Sequence, residues 1–375
     1  MNPAPNPSEP SAISAIPEST APRLIDVARS AGVSPATVSR VLNNSGPVNA
    51  ATRERVQAAM QLLGYVPTAP TAAVAGTPVG DGGAVTAQRT IAVFITDILN
   101  PIFPEFLRGI EDEIGTQATA MQIHNVPENA PPQKLPLSVL TQHRVDGVIT
   151  IASHIPSQDL IAIHEHHDLP LVVVNRRVNH PRIPSIVVDF EDAAYRSARH
   201  LIDLRHTRIG FLAGFSSAHT SLARKRGIER ALAGIGQVLP ARWHLSGIPS
   251  IEGGFQAMSA LLAQPTGDRP SAIITYNDLL AFGALHALRA HGLSVPEDMS
   301  VIGCDGIALA AHSNPPLTTI DQPKYKMGRL AMQTLNELMT GDAGEGTSSG
   351  YTLMESPLIT RGSTAIYQPP ANKHE

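Results

Sequence analysis

The chain has 375 residues, 28 basic against 32 acidic side chains for a net charge of −4, 42% apolar residues and one cysteine, Cys304. That length supports a small module plus one or two larger domains, and the apolar fraction is enough for real cores. The charge argues against a chain coated with nucleic acid. A single cysteine excludes an intramolecular disulfide and a cysteine-rich metal site, and no window approaches the apolar length of a membrane span.

Residues 1–22 are rich in Pro, Ser and Ala, with neither the basic start nor the apolar run of a secretory signal. They are expected to form a disordered tail, and the protein to be cytoplasmic. Residues 23–67 then read as an all-helical DNA-binding module. A first helix is expected from Ile25 to Ala31, with Val27 and Ala28 inward and Gly32 supplying the tight turn of a helix-turn-helix. Ser34 caps the second helix, Pro35–Leu42, and Pro35 fits the first helical position, where a missing N–H costs nothing.

On that second helix Val38 and Leu42, four residues apart, point inward, leaving Pro35, Ala36, Ser39 and Arg40 on the face that would enter a major groove. Arg40 is the candidate base reader, because a guanidinium bonds guanine O6 and N7 together. Ser34, Thr37, Ser39 and Asn43 are sized for phosphate oxygens, and Thr52 is grouped with them as a DNA contact. A third helix is expected from the Asn49 cap to Leu63–Gly64, closing a small core with Val56, Met60 and Leu63. The head is not strongly basic: Arg23, Arg29, Arg40, Arg53 and Arg55 stand against Asp26 and Glu54.

The run DVAxxAGVSxxTVSRVLN followed by TRxRVxxAxxxLGYxP resembles the DNA-binding head of the LacI/GalR (lac repressor) family. Arg23 stands where that family usually has a capping Thr or Ser. Pro35 and Ala36 fall at its variable base-reading positions without a hydrogen-bond donor, so discrimination is left to Arg40 and to apolar contact with a thymine methyl.

Residues 68–88 are expected to hold a short hinge helix and a flexible linker. The hinge, capped by Thr68 and stopped by Gly76, is too short to be stable alone. The resemblance implies that it forms on DNA and inserts a minor-groove wedge; Val74 takes the wedge position, usually Leu, and implies less kinking. The spacer TPVGDGGAVTAQ is longer than the family norm.

From Thr90 onward apolar runs alternate with helical segments: IAVFI, MQIHNV, DGVITIA and LPLVVVN, then IVVDF, RIGFLAG, SAIITY and MSVIGCD, with a later LTTIDQP. Parallel sheets covered by helices are expected, in two Rossmann-like subdomains. The family resemblance continues through NPIFPEFLRGIEDE to the closing ITRGSTA and implies an α/β two-lobe periplasmic-binding-protein-like core over residues 89–367. Lobe one is placed at about 89–188 plus 318–344 and lobe two at about 189–317 plus 345–367, with a tail at 368–375.

In such folds the ligand lies at the carboxyl ends of the strands, between the lobes. By motif, Asn100, Phe103, Asn175, Arg176, Arg224, Asn277, Asp305 and Gln322 fall there, a set similar to that of ribose-type binding proteins. Polyhydroxyl ligands lose many water bonds and need convergent donors and acceptors in exchange. Ile102, Cys304 and Pro249 replace or adjoin positions that are usually aromatic in the family, which implies a pocket less aromatic than a purine-binding one. The long linker, the Ser153–Pro156 turn, PPLTTIDQP and RGSTA resemble the cytidine-responsive branch and imply a nucleoside or pentose effector.

Other constellations fare worse. His164–Glu165–His166–His167 lacks HExxH spacing and reads as a solvated helix end, GIGQVL is not a completed dinucleotide loop, and Ser217 and His219 form no nucleophile elbow. No catalytic constellation, metal or cofactor is expected. The resulting reading is a repressor: a homodimer on pseudo-palindromic double-stranded operator DNA, controlled by a sugar- or nucleoside-like effector. The alternative is a two-lobe binding protein, or a nucleoside enzyme, without specific DNA recognition. A short polar C-terminus favours a dimer over a larger assembly.

Overall fold

The computed structural model describes residues 24–42, 48–63, 89–127, 145–152, 154–215, 219–341 and 350–369. The expected tail at 1–22, Asn43, the hinge helix with Val74, the linker, Ser153, Ser217 and residues 370–375 lie outside them. The chain divides into two units, residues 1–84 and 85–375.

The first unit holds α1 (Leu24–Ala31), α2 (Pro35–Leu42) and α3 (Ala50–Leu63). Val27, Ala28 and Ala31 of α1, Val38 and Val41 of α2, and Val56 and Ala59 of α3 form its core, with Met60 and Leu63 packed on it. Val41, one residue before the expected Leu42, is thus a second inward residue of α2. Ser34 Oγ accepts from the Thr37 N–H at 3.2 Å and Asn49 Oδ1 from the Thr52 N–H at 2.8 Å, the two expected caps. Gly32 turns the chain at φ 64°, and Arg55 donates to the Ala31 and Gly32 carbonyls, closing the end of α1. Arg55 is therefore built into the head itself.

In the second unit, β1 (Arg89–Ile95), α4 (Ile102–Ile114), β2 (Thr119–Asn125), β3 (Gly147–Thr150), α5 (Ser157–His167), β4 (Leu171–Val174) and β5 (Ser185–Val188) build the first lobe. The second has α6 (Phe190–Asp203), β6 (Ile209–Ala213), α7 (His219–Ala233), β7 (His244–Ser246), α8 (Ile251–Leu262), β8 (Ala272–Thr275), α9 (Asp278–Ala290), β9 (Ser300–Asp305) and β10 (Thr318–Asp321). The chain then returns through α10 (Lys324–Thr340) to β11 (Tyr351–Met354) and β12 (Leu358–Ile359). The strand orders are β11-β5-β4-β3-β1-β2 and β12-β10-β9-β8-β6-β7. All pairings are parallel except β10 with β12.

Two of the expected lobe boundaries need correction. Thr318–Asp321 pairs with β9 and so belongs to the second sheet, although α10 after it packs on the first lobe. Tyr351–Met354 pairs with β5 and so belongs to the first sheet, although it follows α10 by a segment expected in the second. Hydrogen-bonded pairing, which local pattern does not encode, decides both.

Because successive strand residues face opposite sides, each sheet has two cores. In the first lobe Ile91, Val93 and Ile95 meet Phe106 of α4 and Met332 of α10, while Ala92 and Phe94 meet Leu160 and Ile163 of α5. In the second, Phe211 lies under α6 and α7, whereas Leu212 lies under α8 and α9. The α4–α10 contact has no room for a side chain at two points: a Cβ on Gly109 would strike the Tyr325 carbonyl, and one on Gly328 the Phe106 carbonyl. The RGSTA segment is stapled to the second sheet by Ser363, whose Oγ donates to the Val301 carbonyl at 2.6 Å and accepts the Thr318 N–H at 2.8 Å.

Candidate functional site

Strands of both sheets end at one cavity of about 320 Å³, lined by residues of both lobes. That lies within the range of roughly 300–1,000 Å³ usual for small-molecule sites. Seven of the eight residues expected there line it: Asn100, Phe103, Asn175, Arg224, Asn277, Asp305 and Gln322. Each follows a strand end or sits on the first turns of the next helix, so the parallel topology brings together positions remote in sequence.

Arg176 does not line this cavity. It lies two residues past the end of β4, beyond Asn175, which turns the backbone at φ 70°, so strand position does not set its direction. Its guanidinium donates to Ser157 Oγ at 2.9 Å and to the Ile155 carbonyl, holding the turn before α5. Burial lowers its pKa to about 10.

Arg224 dominates the floor. It is 4% exposed and its guanidinium carbon lies 4.0 Å from the Phe190 ring centroid and 4.5 Å from that of Tyr276. Two planar rings thus hold the planar cation. Its Nη1 donates to the Thr220 carbonyl at 3.1 Å and its Nη2 to Cys304 Sγ at 3.3 Å. Burial disfavours the charge, but Cys304, Tyr276 and Asp305 outweigh it and raise the pKa. Cys304 is therefore packed beneath the cavity as a partner of Arg224, its thiol pushed up to about 11 by burial.

Asp305 ends β9 and accepts from Gln322 Nε2 at 2.7 Å. Burial, reinforced by the nearby Asp278, raises its pKa well above the ordinary carboxylate value, against the pull of Arg224 and Lys324. Several other polar groups double as helix caps, because parallel strands lead directly into helix N-termini. Asn277 Oδ1 accepts the Leu280 N–H at 2.9 Å, Asn100 Oδ1 the Ile102 N–H at 3.1 Å, and Ser250 Oγ the Gly253 N–H at 3.0 Å. The oxygens of these residues are committed to the fold. By contrast, Gln322 Oε1, Asn175 Oδ1 and Arg224 Nε are buried without a hydrogen-bond partner. Unpaired buried polar atoms are costly, and these three belong to residues that line the cavity.

The cavity has four aromatic wall residues. Phe103, Phe190, Phe215 and Tyr276 line it. Phe103 is at once core and wall, being 7% exposed. Phe190, Phe215 and Tyr276 were not among the expected residues, yet their places after IVVD, FLAG and SAIIT carry the same strand-end signal as Asn175 and Asp305.

The chain belongs to the lacI family of bacterial regulatory proteins. Residues 23–68 match the model described as bacterial regulatory proteins, lacI family, and residues 198–364 match a periplasmic binding protein-like domain. It is 35% identical to the HTH-type transcriptional repressor CytR of Escherichia coli (strain K12), over 92% of this chain and 97% of that one. Its fold matches the lac repressor dimer bound to operator and the anti-inducer ONPF, with TM-score 0.65 and 29% identity over 92% of this chain and 100% of that chain. A LacI family regulator from Enterococcus faecium with bound ribose matches with TM-score 0.66 and 26% identity, over 75% of this chain and 100% of that chain. The protein is thus a DNA-binding transcriptional regulator with a periplasmic-binding-protein-like ligand domain.

In this lacI-family head, Arg40 is exposed on α2. Thr37 is half-buried, and its hydroxyl lies 2.9 Å from Ser34 Oγ. Thr52 is half-buried at the start of α3, while Pro35, Ala36 and Ser39 lie along α2. At the end of α5, His164 is buried rather than solvated: its Nδ1 lies 2.9 Å from the Leu169 carbonyl oxygen, while Glu165 pairs with His180 at 3.5 Å. No helix among the described residues is long and apolar enough to cross a membrane.

Proposed function

We propose that this chain is a cytoplasmic repressor acting as a homodimer, whose operator affinity is set by a small neutral polyhydroxylated effector, a pentose or a nucleoside, held in the cavity between its lobes. The three buried, unpartnered polar atoms of Asn175, Arg224 and Gln322 beside that cavity carry this reading. Separate ligand hydroxyls can donate to the two amide oxygens and accept from Arg224 Nε, while a flat ring finds aromatic walls. Arg224 and Asp305 balance in charge, which favours a neutral ligand over a phosphorylated one. Asn100, Phe103, Asn277 and Asp305 complete the contacts. The chain binds this effector without transforming it.

On DNA, Arg40 reads base edges in the major groove, with Pro35 and Ala36 against thymine methyls. Ser34, Thr37, Ser39, Asn43 and Thr52 fix register on the backbone, and Val74 acts as a minor-groove wedge. Thermal-shift titration of the full chain with ribose, cytidine, adenosine and hexoses tests the effector class. A rise in Tm with pentoses or nucleosides is expected. No shift with these but a clear one with hexoses contradicts the reading.

A further inference from the structure

Lys324 is the first residue of α10, a helix packed on the first lobe, yet its ammonium serves the second. It is 3% exposed, and Nζ donates to the Asp305 and Gly306 carbonyls at 2.9 Å each and to Asp321 Oδ1 at 3.1 Å. Asp278 holds the same turn from its other side, accepting the Ile307 N–H at 2.9 Å and the Thr319 hydroxyl at 2.6 Å. Thr319 Oγ1 in turn accepts the Gly306 N–H at 3.3 Å. A cation thus grips the carbonyls of the Asp305–Gly306–Ile307 turn, while a carboxyl and a hydroxyl grip its N–H groups. The first lobe reaches this arrangement too: Glu105 Oε2 of α4 lies 3.9 Å from Lys324 Nζ.

We propose that Lys324 is a positioning residue for the effector site: it fixes the turn that presents Asp305 to the cavity and ties that turn to α10 and α4. Its consequence for effector binding rests on the cavity reading above; the positioning role itself does not. The crossover makes the geometry efficient. Gln322, two residues before Lys324, bonds the Asp305 carboxylate, so one short segment leaving β10 holds both the side chain and the backbone of Asp305. Any movement of α10 against the second lobe must then move Asp305 or break charge-assisted hydrogen bonds, which are among the stronger ones.

Hydrogen–deuterium exchange on the ligand-free full chain tests this with Lys324→Met, Lys324→Arg and Glu105→Gln. Methionine keeps an unbranched stem but leaves two buried carbonyls without their donor. Exchange in peptides spanning 304–307 and the first turn of α10 should quicken on the order of tenfold or more, with β4 and β8 unchanged. Arginine should restore much of the protection. Glu105→Gln should leave 304–307 protected and loosen only the start of α10. Wild-type exchange in Lys324→Met contradicts the proposal, as does acceleration across both lobes shared by Lys324→Met and Lys324→Arg, which would make Lys324 a general folding residue. Failure of the cavity reading is distinguishable: ribose, cytidine and adenosine would not move the wild-type Tm, while the local exchange pattern would persist.

Discussion

Gln322 donates to Asp305 across 2.7 Å, joining the residue after β10 to the last residue of β9 on the cavity floor. The bond uses one of the two N–H groups of the amide and leaves Gln322 Oε1 buried and unpaired in a residue that lines the cavity. Asp305→Asn keeps the shape and removes the charge. Effector affinity, measured by calorimetry, should fall about tenfold to a hundredfold, the scale of a lost hydrogen bond to a charged group. The unfolding midpoint should not fall, because the buried carboxylate is held above its ordinary pKa by burial.

The α4–α10 contact gives a second prediction. Alanine in place of a mid-helix glycine gains about 1 kcal/mol in helix propensity. At Gly328 the added methyl would strike the Phe106 backbone, a neighbour that cannot rotate away. Gly328→Ala should therefore destabilise the core by about 1–3 kcal/mol or more in urea unfolding, as overpacking does.

Asp278 sets a pH dependence. Burial, opposed by its bonds to Thr319 and Ile307, raises its pKa to about 6 from 3.8. A carboxyl that holds its proton more tightly when folded contributes stability that is present below pH 4 and lost as pH rises to about 6. Histidines such as His206, whose pKa burial lowers, push stability the other way, so the difference between proteins is the readout. The stability of wild type relative to Asp278→Asn, from urea unfolding, should decline between pH 4 and pH 6 and level off above.

In the head, Arg40→Ala should cost about 1–3 kcal/mol per half-site in specific binding, the value of a bidentate guanine contact. Fluorescence anisotropy with selected and scrambled duplexes checks this. Effector binding should be unchanged, since Arg40 belongs to a separate folding unit.

The strands β1, β3, β4, β6, β8 and β9 were legible because each is a buried apolar run between turn signals, and the helix caps at Ser34 and Asn49 because capping chemistry is local. What escaped was decided at long range. YTLM is largely exposed and carries no core pattern, so its place beside β5 comes only from pairing. The cavity lining was legible where strand-end position suffices, as at Asn175, Asp305 and Gln322. Strand-end position did not suffice at Arg176, past the positive-φ turn at Asn175, or at Lys324, whose contacts depend on a helix of one lobe beginning inside the other.

Whether this chain reads a specific DNA sequence is decided by selecting genomic fragments on the purified protein at moderate salt and sequencing the bound DNA. A pseudo-palindrome whose enrichment is lost with Arg40→Ala is expected. Salt-sensitive binding without a motif, equal for wild type and variant, would contradict it and leave the two-lobe core as the functional part.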